Sequence, residues 1–147
     1  MERNIERHLV AAIGYRAGFA FRQAPPEFMA FQAGEGVRTP IEMVNHMNAV
    51  LTKAARAFGV NCEDSGTPLS GEAEISRFFE LLEEIDVAME TGAEPLTMTL
   101  EQIMQGPLAD VLTHIGQLYM LRRLSGSPVS NPGSFIQADI SIGRIQY

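Results

Sequence analysis

The chain has 147 residues, 46% of them hydrophobic, which predicts one domain over residues 1–147 with a substantial core. Its net charge of −7 at pH 7 disfavours nucleic acid as a partner, because nucleic-acid binders usually carry a basic face. The sequence shows no apolar run of bilayer length, no signal-peptide pattern and one cysteine, Cys62, so we expect a cytoplasmic protein without a membrane partner.

The first predicted helix runs from about Glu2 to Gln23, and Pro25-Pro26 ends it. Its apolar stripe at helical spacing comprises Ile5, Leu9, Ala12 and Phe19, and Arg16 falls at the same spacing. The linker that follows contains Phe28 and Phe31 and is too apolar for a loose loop. We therefore expect the linker to pack over one end of the core.

The second and third predicted helices have clear boundaries. Thr39 is a suitable N-cap with Pro40 at the first helical position, and Gly59 is a suitable end for the second helix. The third helix is predicted to start near Ser70 and to end at Thr91-Gly92. Between these two helices the sequence is rich in turn-forming residues.

The fourth helix is predicted to begin at Pro107 and to end at Ser125-Gly126. A short capped helical segment, Thr99–Gln102, precedes the fourth helix, and Gly106-Pro107 is expected to break the helical backbone between them. The last residues, Ser127–Tyr147, predict a packed irregular tail or, alternatively, a short helix. Four amphipathic helices without strand patterns predict an all-α fold, an antiparallel four-helix bundle with this tail.

Three residues form a candidate metal site: His46, Asp110 and His114. Asp110 and His114 are four residues apart, so they project from the same face of one helix, whereas His46 lies on the second helix. Two imidazoles and a carboxylate suit a divalent metal with open coordination positions. Each residue is predicted at the edge of its apolar arc, half-buried. Alternatively, Asp110 and His114 only stabilise their helix, or Glu42 supplies the carboxylate.

Two polar features next to this site admit two interpretations each. Gln117 lies one turn after His114 and would contact a metal ligand or a bound water, or else form a helix–helix hydrogen bond. Arg122 and Arg123 would favour the helix dipole near its C-terminus, or would bind an anionic substrate.

Two segments resemble a known family. Residues 110–117 read Asp-Val-Leu-Thr-His-Ile-Gly-Gln and, with the Leu-Arg-Arg-Leu-Ser-Gly-Ser-Pro that follows at 121–128, resemble the last bundle helix of the DinB/YfiT-like metalloenzymes, typically His-x-x-x-His-x-Gly-Gln. Residues 39–46 are similar to that family's second helix, which ends in its first metal histidine. The resemblance covers the chain from the second helix to the tail. It implies that His46 and His114 are metal ligands and that Asp110 replaces a third histidine.

The resemblance implies a divalent-metal-dependent enzyme acting on a small-molecule substrate. A carboxylate in place of an imidazole makes the site harder, and zinc, nickel, iron and manganese all fit it. Relatives include bacillithiol- and mycothiol-dependent transferases, so thiol-dependent S-transfer, isomerisation and hydrolysis are the candidate reactions, with a low-molecular-weight thiol as cosubstrate. The alternative is a non-catalytic module that binds a small ligand or a stress-associated partner and leaves the metal site empty. In either case we expect a homodimer in which the apolar linker and tail cover the partner.

Overall fold

The computed structural model describes residues 2–64 and 66–147, and this part of the chain is helical with no strands. The helices are α1 (Asn4–Phe21), α2 (Pro40–Ala57), α3 (Gly71–Glu90), the short α4 (Leu100–Ile103) and α5 (Ala109–Leu124). A short 3₁₀ helix, Pro26–Ala30, lies in the linker between α1 and α2. No helix in the described residues has the length and apolar character needed to cross a membrane.

Hydroxyl caps start three of the helices where the sequence predicts them. The side chains of Thr39, Ser70 and Thr99 each accept a hydrogen bond from the backbone N–H three residues further on. The Thr99 cap is reciprocal, because the Gln102 side chain accepts from the Thr99 N–H at 2.9 Å. These caps satisfy backbone donors that have no partner within the helix.

The predicted interruption at Gly106-Pro107 is wrong. Helical backbone continues from α4 into α5 through a π-helical turn, Met104–Leu108, that contains the proline. In a π-turn a backbone N–H donates to the carbonyl five residues back, and the turn is therefore wider than an α-helical turn. The wider turn accommodates the proline ring, which would clash within an α-helical turn. The last long helical segment therefore starts at Leu100 rather than at Pro107.

The predicted apolar stripe of α1 is also wrong in part. Ile5 is 78% exposed, whereas Val10, Ile13, Ala17 and Ala20 are fully buried. Apolar residues occur on every side of this helix, so their spacing does not select one face. The buried face is the one that α3 and α5 cover.

The four long helices share one hydrophobic core. α2 packs mainly on α3 and α5, and α1 packs mainly on the same two helices. The linker contributes Phe28, which is buried in this core as the sequence predicts. Because α2 and α5 are direct neighbours, the helix that carries His46 faces the helix that carries Asp110 and His114.

The last residues form an irregular tail that packs on α1, as the sequence predicts. Tyr147 and Phe135 lie edge-on to Tyr15, with ring centroids 5.2 and 6.3 Å away. Ile145 is buried, and its backbone oxygen occupies the space where a Cβ at Gly14 would project. The glycine thus provides the groove in α1 into which the tail fits.

Arg122 connects the ends of α1 and α5. It is buried, and its guanidinium donates to the backbone oxygens of Ser127 (2.6 Å), Ala20 (2.9 Å) and Arg22 (3.1 Å). These carbonyls lie at or beyond helix C-termini, where backbone acceptors lack partners within the helix. Arg122 therefore has a structural role that neither interpretation of the sequence included, whereas Arg123 is exposed.

Candidate metal centre

α2 and α5 bring the three predicted site residues together. His46 lies in the first half of α2, and Asp110 and His114 lie one turn apart in the first half of α5. One ligand atom from each of the three residues lies within 4.8 Å of the other two. The structure thus brings His46 next to two residues that lie more than 60 positions further along the chain.

Asp110 lies between the two imidazoles. Its Oδ2 atom is 3.2 Å from His114 Nε2 and 3.6 Å from His46 Nε2. The two rings meet edge to face, with centroids 4.7 Å apart and planes at 86°. Two ligands of one ion with bonds of about 2.0–2.1 Å lie roughly 3.0–3.5 Å apart in cis-octahedral or tetrahedral geometry, so these separations are close to those of a metal site.

Gln117 fixes the tautomer of His114. The Gln117 Oε1 atom is 2.7 Å from His114 Nδ1, and an amide oxygen only accepts hydrogen bonds. Nδ1 therefore carries a proton, and in neutral His114 the lone pair is on Nε2, which faces Asp110. This is the arrangement by which an outer partner orients a metal-ligating histidine.

The cluster is buried on one side and open to solvent on the other. The His114 side chain is 10% exposed, against 32% for His46 and 43% for Asp110. The half-buried positions predicted for His46 and Asp110 are confirmed, whereas His114 is buried because it lies beside the core face of α5. A ligand could therefore approach past His46 and Asp110.

The surroundings of His46 favour the neutral form of its ring. Burial lowers the pKa of His46, and the positive charge of Arg38 lowers it further, while Asp110 acts in the opposite direction. A neutral imidazole has the lone pair that a metal ion requires. Arg38 lies in the linker just before the Thr39 cap, and no sequence pattern indicated that it would contribute to the site.

The three side chains together could hold a metal ion. Two imidazole nitrogens and one carboxylate oxygen converge from two rigid helices, and such a set leaves positions for water or substrate. Glu42, the alternative carboxylate, is exposed and lies outside the cluster. The residues that would hold the ion are therefore His46, Asp110 and His114.

Comparison with known proteins gives no further assignment. No protein-family model, no curated protein and no solved structure matches the chain. Membership in the DinB/YfiT-like family, which residues 39–46, 110–117 and 121–128 suggest from the sequence alone, therefore stays a prediction.

Proposed function

We propose that this chain is a divalent-metal-dependent enzyme of the DinB-like type, with His46, Asp110 and His114 as ligands. In this proposal the four long helices form an antiparallel bundle. The ion lies at its solvent-accessible side, between α2 and α5. The support is the convergence of the three side chains together with the orientation of His114 by Gln117.

One observation carries the proposal: two acceptor atoms face each other at short distance. With Nδ1 donating to Gln117, a neutral His114 directs its Nε2 lone pair at the Asp110 carboxylate, only 3.2 Å away. Two lone pairs at that distance repel each other unless a metal ion or a proton lies between them. The His46 Nε2 atom lies 3.6 Å from the same carboxylate oxygen, so a divalent ion would satisfy all three groups at once.

The chemistry follows from the ligand set. A divalent ion held here would act as a Lewis acid and lower the pKa of a coordinated water or thiol. Asp110 offsets one of the two positive charges, and Gln117 holds the His114 ring in its binding orientation. We propose a small-molecule substrate and a thiol-dependent S-transfer, isomerisation or hydrolysis, with a low-molecular-weight thiol as cosubstrate. We also propose a cytoplasmic location, where the single cysteine stays reduced, and a homodimer.

A second candidate function is a non-catalytic binding module. It is favoured by the same short contact, because a proton on His114 Nε2 would let the imidazolium donate to Asp110 and hold the cluster together without an ion. The two functions differ in metal binding: only the enzyme would bind a metal ion supplied at a concentration equal to that of the protein.

Activity of reconstituted protein tests the proposal. We expect protein loaded with zinc, nickel, iron(II) or manganese to catalyse thiol conjugation or ester hydrolysis with at least one of these ions. Asp110→Ala should abolish that activity with its helical circular dichroism intact. Glu42→Ala removes an exposed carboxylate from α2 and should retain it. Equal activity in the Asp110→Ala protein, or failure of all four ions to bind the wild type, would contradict the proposal.

A further inference from the structure

A cavity of about 740 Å³ adjoins the candidate metal centre. The linker before α2 supplies Val37 and Arg38 to its wall, and α5 supplies Gln117, Met120 and Leu124. Its volume is in the range of small-molecule sites in proteins, which are about 300–1,000 Å³. It is therefore large enough for a substrate.

Two of the wall residues connect the cavity to the imidazoles. Gln117, whose side-chain oxygen contacts His114 Nδ1, lines the cavity. Met43 also lines it and lies one turn before His46 on α2. A molecule seated in the cavity would thus lie against both helices that carry the candidate ligands.

The wall combines exposed apolar side chains with one positive charge. Met120 is 57% exposed and Leu124 is 60% exposed, so both retain apolar surface that a ligand can cover. Arg38 forms no ion pair with any residue that the structure describes. No described Asp or Glu lines the cavity, although the chain carries a net charge of −7.

We propose that this cavity binds the substrate of the metal centre and that this substrate is an apolar carboxylate. The carboxylate pairs with the Arg38 guanidinium, and the apolar part covers Met120 and Leu124. An arginine suits this task because its planar fork can donate two parallel hydrogen bonds to one carboxylate. That the bound carboxylate is a substrate rests on the proposed function, whereas its binding in the cavity does not.

Calorimetric titration with octanoate tests the inference, with octanol as the uncharged probe of similar shape. We expect octanoate to bind the zinc-loaded protein more tightly than octanol does. Arg38→Gln should weaken octanoate binding about tenfold or more, the range for loss of a hydrogen bond between charged groups. Arg123→Gln removes an exposed arginine of α5 outside the cavity and should leave binding unchanged. Equal octanoate affinity in the wild type and the Arg38→Gln protein would overturn the inference.

Repeating the titration on chelator-treated protein separates this inference from the proposed function. Octanoate binding that depends on Arg38 in metal-free protein supports the cavity assignment even where no ion binds. Stoichiometric metal binding without octanoate binding would overturn the cavity assignment and leave the metal proposal standing. The Met120→Glu variant tests the other occupant, a second copy of the chain. A change from dimer to monomer in this variant, with no octanoate bound by the wild type, would also overturn the inference.

Discussion

Gln117 provides the sharpest test of how the site is organised. Its side chain lies on the exposed side of α5, and the one side-chain hydrogen bond described for it is the 2.7 Å contact with His114 Nδ1. Gln117→Met keeps a similar length and removes the acceptor. Gln117→Glu keeps an acceptor and makes it an anion, which raises the basicity of the metal-binding nitrogen. The two variants should therefore change metal affinity in different directions.

The size of the effect follows from the position of the bond. Loss of an outer partner of a metal-ligating histidine typically weakens metal binding by about 10–100-fold. Because Gln117 is exposed, water can replace part of its hydrogen bond, and we expect the lower end of that range. Gln117→Met should thus weaken zinc binding by about tenfold, equivalent to about 1.4 kcal/mol. Gln117→Glu should bind zinc at least as tightly as the wild type.

Competition with a chromophoric chelator at pH 7 measures both affinities. Urea unfolding of the metal-free proteins is the control, because an exposed residue should change the free energy of unfolding by less than about 0.5 kcal/mol. Equal zinc affinity in Gln117→Met and the wild type would refute this role of Gln117. Weaker zinc binding by Gln117→Glu than by Gln117→Met would refute it as well.

Three further predictions concern the framework around the site. Gly14→Ala should release the tail to limited proteolysis, and an unchanged digest of this variant would contradict the prediction. Gly116→Ala is the matched control: a Cβ there meets nothing within 4 Å, so the substitution should stabilise its helix by roughly 1 kcal/mol. Arg122→Met should lower the free energy of unfolding by about 3 kcal/mol, because three backbone carbonyls lose their donor. Urea unfolding measures this change, and Arg123→Met, the control, should change the same free energy by less than about 0.5 kcal/mol. Burial raises the pKa of Tyr119 to about 12, so the stability that its neutral phenol contributes should be complete below pH 10 and be lost as the pH rises through 12. Because the chain has three tyrosines, the difference between absorbance titrations of the wild type and Tyr119→Phe isolates this group, and a difference that appears at pH 10 would refute the prediction.

Local sequence signals predicted the helix starts that have a hydroxyl cap. Thr39, Ser70 and Thr99 cap helices because a hydroxyl accepts from a backbone donor three residues away, which depends on the nearby sequence alone. The exposure of Ile5 and the helical path through Pro107 depend on which neighbours pack on α1 and on a π-turn. Spacing within one segment contains no information on either.

The candidate site was predictable in part for the same reason. The four-residue spacing placed Asp110 and His114 on one face, but the approach of His46 requires the contact between α2 and α5. The resemblance to DinB/YfiT-like helices supplied that pairing. The contribution of Arg38 could not be predicted, because it comes from a linker whose path is set by packing on the helices.

Metal content is the most direct test of the account. Plasma mass spectrometry on protein purified without a histidine tag should find about one divalent ion per chain in the wild type, and essentially none in His46→Ala. His8→Ala, which removes an exposed histidine of α1, is the matched control and should retain the ion. Wild-type protein that holds no metal after incubation with zinc, nickel, iron and manganese would contradict the proposed metal centre. Equal metal content in the His46→Ala protein would contradict it as well.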